Sequence, residues 1–322
     1  MKNRRLTIII LVAIAVAAGI WAYVETSSTQ QVALAHAWQL TPEDGYSGTQ
    51  VTDPFVSWAP DSQSLLFGYS SKVSRKDRIL KWNVGEKSLK LVVEGASPNY
   101  ATDDEFLYMT REPVALYRRS LSTGKQSEVL ASIKNDPFWD DVKGFLYDPV
   151  TKTIILRLVE FTRGYFAGTE AYDMNGKRLP EPNSYKGENV LDRGYSPRGE
   201  KCAVIVEAQQ DRPASLQIAA KGKDRGKEVA SGTITAVAWH RTGDMVAYGE
   251  KTNVALVRPS DGRTAVVARF SPPKNKEEER FVTRLSWSPN GDYLAVFVYV
   301  SGMTGDYPLI YVLDLSKFRW PE

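Results

Sequence analysis

The stretch Leu285–Val298 reads LSWSPNGDYLAVFV: an aromatic, a Ser-Pro-Asn-Gly turn, then a dense apolar run. SWAPDSQSLLFG around Trp58 and AWHRTGDMVAYG around Trp239 write the same phrase. Proline fixes φ, and Gly or Asn accepts positive φ, so the chain reverses tightly between an aromatic-ended strand and an apolar one. Working outward from this phrase gives six copies, anchored at Trp58, Tyr100, Tyr147, Tyr195, Trp239 and Trp287. Their spacings are 42, 47, 48, 44 and 48 residues. A sustained period of this size is the signature of a repeat architecture, and a propeller blade has this length.

In most copies two further strands follow. In the first they are ILKWN and LKLVV; in the second, VALYRRSL and SEVLA; in the fifth, NVALV and RTAVVARF. Gly-containing turns such as Ser122-Thr123-Gly124 and Ser260-Asp261-Gly262 join them. The expected class is all-β: a six-bladed β-propeller of four-stranded antiparallel blades, because one such sheet cannot bury both faces alone and a ring of them can. The sixth copy lacks a clear fourth strand after PLIYVLDL, and VALAHAWQL (Val32–Leu40) has no other place. The segment 32–40 is therefore expected to close the last blade.

The chain has 322 residues, 43% of them hydrophobic and 25% charged, the balance of a globular protein. Its single cysteine, Cys202, rules out an internal disulfide and a Cys-rich zinc site. It lies in KCAVIV and reads as a core residue. The net charge of +3 comes from Lys2, Arg4 and Arg5, which precede the first acid, Glu25. The body is neutral and lacks the broad basic footprint of a nucleic-acid binder.

Residues 1–5 form a short basic N-terminus, and the segment 6–24 carries no charge. Its apolar run Leu6–Tyr23, as a helix, would span about 27 Å, close to the hydrocarbon core of a bilayer. Cations before it and Glu25 after it place the N-terminus in the cytoplasm and the body outside. A cleaved signal peptide is the competing reading, which would make the body secreted. Residues 25–31 read as a linker, and 32–322 as the propeller.

WAPDSQSLLF, YSPRGEKCAV and WSPNGDYLAV resemble the propeller repeat of the TolB-like family, which is also similar to the propellers of prolyl oligopeptidase-type enzymes. The resemblance covers roughly Phe55 to Leu315. The fifth copy departs from it with His240-Arg241-Thr242, and the second and third are degenerate. TolB carries an N-terminal α/β domain before its propeller; here the apolar segment and linker hold that place. The resemblance implies a binding scaffold and does not name a ligand.

No nucleophile elbow, phosphate loop or calcium loop occurs, and no cofactor or metal is expected. His36 and His240 are the only histidines; His240 reads as a surface turn residue. The long insertions fall in the second-to-third loops and the inter-blade connections, which in a blade share one face. That face would carry Phe138, Trp139, Asp140, Asp141, Phe161, Arg163, Tyr165, Phe166, Tyr185, Arg280 and Tyr307. Aromatics and arginine are the usual anchors of binding surfaces. KNKEEER (Lys274–Arg280) reads as a solvated charged run.

The expected role is a non-catalytic extracytoplasmic scaffold that recognises a protein, peptide or envelope polymer. One alternative is a hydrolase or lyase with Asp140, Asp141 and Glu170 at the propeller channel. Another is a regulatory ectodomain of a membrane complex.

Overall fold

The computed structural model describes residues 35–40, 56–70, 77–111, 113–130, 141–148, 152–160, 165–179, 190–197, 200–206, 213–220, 226–270, 278–301 and 307–320. The chain within them is all-β. It opens with a short strand, β1 (His36–Gln39). The first sheet follows as β2 (Val56–Trp58), β3 (Ser64–Ser70), β4 (Asp77–Asn83) and β5 (Ser88–Glu94). The second is β6 (Ala96–Tyr100), β7 (Glu105–Arg111), β8 (Val114–Ser120) and β9 (Gln126–Leu130). The third is β10 (Asp141–Asp148), β11 (Thr153–Glu160), β12 (Tyr165–Tyr172) and β13 (Arg178–Leu179). The fourth is β14 (Val190–Tyr195), β15 (Lys201–Val206), β16 (Ala214–Ala220) and β17 (Lys227–Gly232). The fifth is β18 (Ile234–Trp239), β19 (Val246–Glu250), β20 (Asn253–Val257) and β21 (Thr264–Arg269). The last contains β22 (Glu279–Trp287), β23 (Tyr293–Ser301) and β24 (Tyr307–Asp314).

Each sheet is antiparallel with its strands in sequence order, except that β1 is the fourth strand of the last one. His36 pairs with Asp314 and Gln39 with Tyr311, so the beginning of the described chain is hydrogen-bonded into its end. Trp38 carries this join further. Its ring lies 5.7 Å from Trp82 of the first sheet and 6.4 Å from Tyr293 of the last.

The second strands are apolar on both faces because both faces are covered. β23 buries Leu294 to Val298 without a break, and β15 buries Cys202 to Ile205. Burial then falls toward the fourth strand: β5 exposes Leu89 and Leu91 about half. This gradient is what face-to-face packing of neighbouring sheets produces. β2 and β3 lie against β6, β6 against β10, β14 and β15 against β18, and β18 and β19 against β22. β22 in turn lies against β2, so the last sheet returns to the first. A shared core of Trp58, Leu65, Phe67 and Trp82 with Ala295, Phe297, Ile310 and Val312 fills that junction.

The repeated phrase is a single turn geometry. Ser288 N–H donates to the Tyr293 carbonyl, and Gly291 N–H donates back to the Ser288 carbonyl. His240, Met245 and Gly243 repeat this, as do Ala59, Ser64 and Ser62. The fourth turn position has positive φ in each: 81° at Gly291, 75° at Gly243 and 63° at Ser62. The serine of the phrase has its own task. Ser288 Oγ accepts the Tyr293 N–H, and Ser196 Oγ accepts the Lys201 N–H. The hydroxyl thus caps an amide that the tight turn would leave bare.

Candidate functional site

Antiparallel sheets of this kind have two ends with different chemistry. At one end lie the short turns between first and second strands, and these hold one another. Asp61 N–H donates to Asp103 Oδ1 of the next sheet at 2.9 Å. Asn290 N–H of the last sheet donates to Ser62 Oγ of the first at 2.8 Å. His240 Nε2 meets the Gly291 carbonyl at 3.3 Å, and its ring stands edge-on to Trp287. His240 is thus an inter-sheet wedge, its side chain only 12% exposed, and burial holds its imidazole below the usual range. The expectation of a simple surface turn residue is corrected. Asp104 likewise does more than face water: it accepts hydrogen bonds from the Ser120 and Ser122 hydroxyls and the Ser122 N–H.

The inner strands are joined along their free edges as well. Trp58 Nε1 donates to the Ser286 carbonyl at 3.0 Å, linking the first sheet to the last. Trp287 Nε1 donates to the Ala238 carbonyl at 3.2 Å. Ser57 Oγ accepts the Tyr100 N–H. Asn99 reaches the backbone of Phe145 and Tyr147. The Thr235 hydroxyl donates to the Val282 carbonyl. An inner strand has one edge without a strand partner, and these side chains satisfy its backbone groups. Tyr100 belongs to the same region: its hydroxyl bonds Ser64 Oγ at 2.7 Å, and burial pushes its pKa up to about 12.

The opposite end holds the long connections. Asp141 opens the inner strand β10, Tyr165 and Phe166 open the third strand β12, Tyr307 opens the third strand β24, and Arg280 lies at the start of the inner strand β22. The topology brings the backbones of these five residues to one end of their sheets. Phe138, Trp139, Asp140, Phe161, Arg163 and Tyr185 lie outside the described residues.

A β-bulge marks the inner strands toward this same end. The register shifts at Val142/Gly144, Val190/Asp192, Ile234/Ala236 and Val282/Arg284, in each case four residues before the anchoring aromatic. β6 shifts between Ala96 and Asn99. A bulge sharpens local twist and re-aims side chains, and bulges concentrate beside functional sites. No pattern in the sequence distinguishes these bulged residues, since Lys143, Leu191, Thr235 and Thr283 share no chemistry.

Of the acids proposed for a catalytic alternative, Asp141 and Glu170 do not meet, and Asp140 lies outside the described residues. Glu170 pairs with Leu156 in β12, whereas Asp141 pairs with Val159 at the far end of β10. Two strand spacings sideways and three residues lengthwise put their Cα atoms about 14 Å apart. Glu170 is also engaged on its own sheet: Tyr172 donates to Oε2 at 2.6 Å, and Arg178 lies 2.8 Å from Oε1. Burial and that hydrogen bond push the Tyr172 pKa up to about 12. Among the described residues no group of three His, Cys, Asp or Glu is placed to hold a metal ion.

Two residues of the charged run KNKEEER, Glu278 and Arg280, depart from the expectation of a solvated run, while Glu279 is exposed and 274–277 lie outside the described residues. The side chains of Arg280 and Glu278 are 6% and 15% exposed, with Nη2 and Oε2 3.7 Å apart. Arg280 Nε and Glu278 Oε2 are buried and without hydrogen-bond partners. Sequence reading placed Arg280 on an open loop face and did not single out Glu278; a run of six charges in seven residues reads as solvated wherever it falls.

No family model matches the chain, and no curated protein matches it in sequence. The fold is similar to that of solved structures. An oligogalacturonate lyase from Vibrio parahaemolyticus superposes with a TM-score of 0.59 at 11% identity, covering 89% of this chain and 98% of that one. TolB from Acinetobacter baumannii gives 0.46 at 14% identity, over 81% of this chain and 63% of that one. A gluconolactonase from Xanthomonas campestris gives 0.47 at 12% identity, over 88% and 90%. These are propeller-type folds, and the four-stranded antiparallel sheets of this chain are consistent with propeller blades. Among the described residues no helix is long and apolar enough to cross a membrane; the segment 6–24 lies outside them.

Proposed function

We propose that the protein is a closed six-bladed, TolB-like β-propeller that acts as a non-catalytic extracytoplasmic binding scaffold. The segment 6–24 anchors it in the membrane, and the long-loop end recognises a protein, peptide or envelope polymer. Phe138, Trp139, Asp140, Asp141, Phe161, Arg163, Tyr165, Phe166, Tyr185 and Tyr307 supply the recognition surface, and the largely buried Arg280 supports it from the start of β22.

The observation that carries this reading is the difference between the two ends. The short turns spend their polar groups on one another, as in Asp61 to Asp103 and Asn290 to Ser62. The described strands on either side of residues 131–140 and 180–189, β9 with β10 and β13 with β14, break off at the other end. A rigid scaffold that presents variable loops on one side is suited to binding. The contact of β22 with β2 supports closure of the ring.

The test is a pull-down from bacterial envelope extract with the intact protein and a Phe138→Ala/Trp139→Ala variant. The expected result is a partner retained by the former and depleted at least tenfold by the latter, with unchanged thermal unfolding. Equal recovery of every partner by both would count against the long-loop end as the binding surface.

A further inference from the structure

We propose, on the reading of the segment 6–24 as a membrane anchor, that the exposed edge of the first sheet around Leu89 and Leu91 docks on the lipid bilayer. The protein then rests on the membrane by this flank, and the long-loop end stays clear of the lipid.

Among the described residues, Leu89 and Leu91 are the large hydrophobics left exposed, at 46% and 50%. Both stand on β5, the outermost strand of the first sheet. Leu89 pairs with Trp82 and Leu91 with Leu80, and residues directly opposite one another share a face. That face is the one turned toward the last sheet. The core between the two sheets takes in Trp82, Leu80 and Trp38 of β1, and stops short of both leucines. Trp38 lies 5.7 Å from Trp82, ring to ring, so the leucines stand one strand beyond the point where β1 covers this face. The apolar face runs on past its cover into the open.

The position of the patch in the chain selects its partner. Ten residues, 25–34, separate the apolar segment from Ala35, and ten residues reach at most about 35 Å. β1 and the neighbouring β5 are therefore held close to any bilayer that takes up the segment 6–24. A short tether raises the effective concentration to the order of millimolar, so a contact too weak to hold a free protein is populated. Lys87 and Lys90 are exposed beside the leucines, and so are Glu86 and Glu94. Their charges balance, which leaves an apolar contact suited to zwitterionic lipid, with the lysine stems reaching the headgroups. A second copy of the chain fits worse. Setting Leu89 of one β5 opposite Leu91 of another puts Lys90 against Lys90, and like charges directly opposite oppose pairing.

The experiment uses the full chain reconstituted into phosphatidylcholine vesicles. An environment-sensitive NBD fluorophore is placed on Lys90→Cys, between the two leucines, or on Glu228→Cys of β17 in the fourth sheet. Cys202 is buried and stays unlabelled. Phosphatidylcholine carrying a headgroup nitroxide is the quencher. The expected result is quenching of about twofold or more at position 90, little at 228, and loss of the quenching at 90 in Leu89→Ser/Leu91→Ser. Equal quenching at 90 with and without the leucines would overturn the proposal, and so would its absence at 90. Alkaline extraction of the vesicles separates this inference from the anchor. A chain that resists extraction while position 90 stays unquenched overturns this inference alone; a chain that is stripped from the vesicles overturns the anchor and this inference with it.

Discussion

At the scale of single residues, the last turn holds two demands in one place. Gly291 has φ of 81°, and a Cβ built on it would stand 2.1 Å from His240 Nε2. Gly291→Ala therefore meets both a left-handed backbone penalty and a clash with a ring wedged against Trp287. Chemical denaturation should show a loss of about 2–4 kcal/mol. In a His240→Ala background the clash is gone, and the additional loss should shrink to about 1 kcal/mol, the backbone share. An equal loss in both backgrounds would mean that His240 does not press on this turn. Ser62 occupies the same slot without being glycine, at φ 63°, and its Oγ takes the Asn290 N–H in return.

Ionisation offers a second residue-scale check. Burial pushes the hydroxyls of Tyr100 and Tyr248 up to about 12, against an ordinary 10. The unfolded chain loses these protons at lower pH than the folded one. Stability is thus complete below pH 10 and falls as pH rises from 10 toward 12. Tyr248→Phe should remove about 1–3 kcal/mol of that alkaline loss, seen as a flatter dependence of the denaturation midpoint on pH. An unchanged slope would mean that Tyr248 titrates alike in both states.

At the scale of elements, β1 has four residues and largely exposed edges, yet it spans a junction. Its backbone completes the sheet of β22 to β24, and Trp38 packs toward Trp82, with the Lys87 ammonium 4.9 Å above its ring. Ala35 N–H further reaches the Val267 carbonyl of the fifth sheet. A chain beginning at Thr49 loses all of this. Its unfolding free energy, followed by fluorescence, should fall by about 2–4 kcal/mol, the worth of a partly buried tryptophan and its strand; retention of full stability would show that β1 is a passenger. The strands themselves were legible because turn chemistry and apolar runs are local. Five of the six anchoring aromatics end an inner strand, as Trp58 ends β2, Tyr195 ends β14 and Trp287 ends β22, and Tyr147 stands one residue before the end of β10. What the aromatics do was not legible. Trp58 donates to a carbonyl 228 residues away, and no local rule reports such a partner. The bulges four residues before the aromatics were hidden for the same reason: register is a property of two strands. The charged run before β22 misled, because hydropathy counts Glu278 and Arg280 as solvent-seeking while the fold buries them against each other.

At the scale of the whole molecule, the two ends of the sheets differ, and the first sheet meets the last. Neighbouring sheets shield one another, and one end of the sheets is knitted by contacts between its turns. The knitted end is built from turn residues that contact the next turn; the other end takes the insertions. Evolution can lengthen loops there at little cost, since loop closure entropy grows slowly with length. The first and last sheets meet, and Trp58 stands in that seam. Exchange of its indole N–H, followed by NMR on the full chain with 15N-labelled tryptophan, tests the closure most directly. The account expects protection approaching that of the core strand amides, lost together with them under denaturant. Fast exchange of the Trp58 indole while the amides of β3 and β23 stay protected would mean that the first and last sheets stand apart, and an open stack would replace the ring.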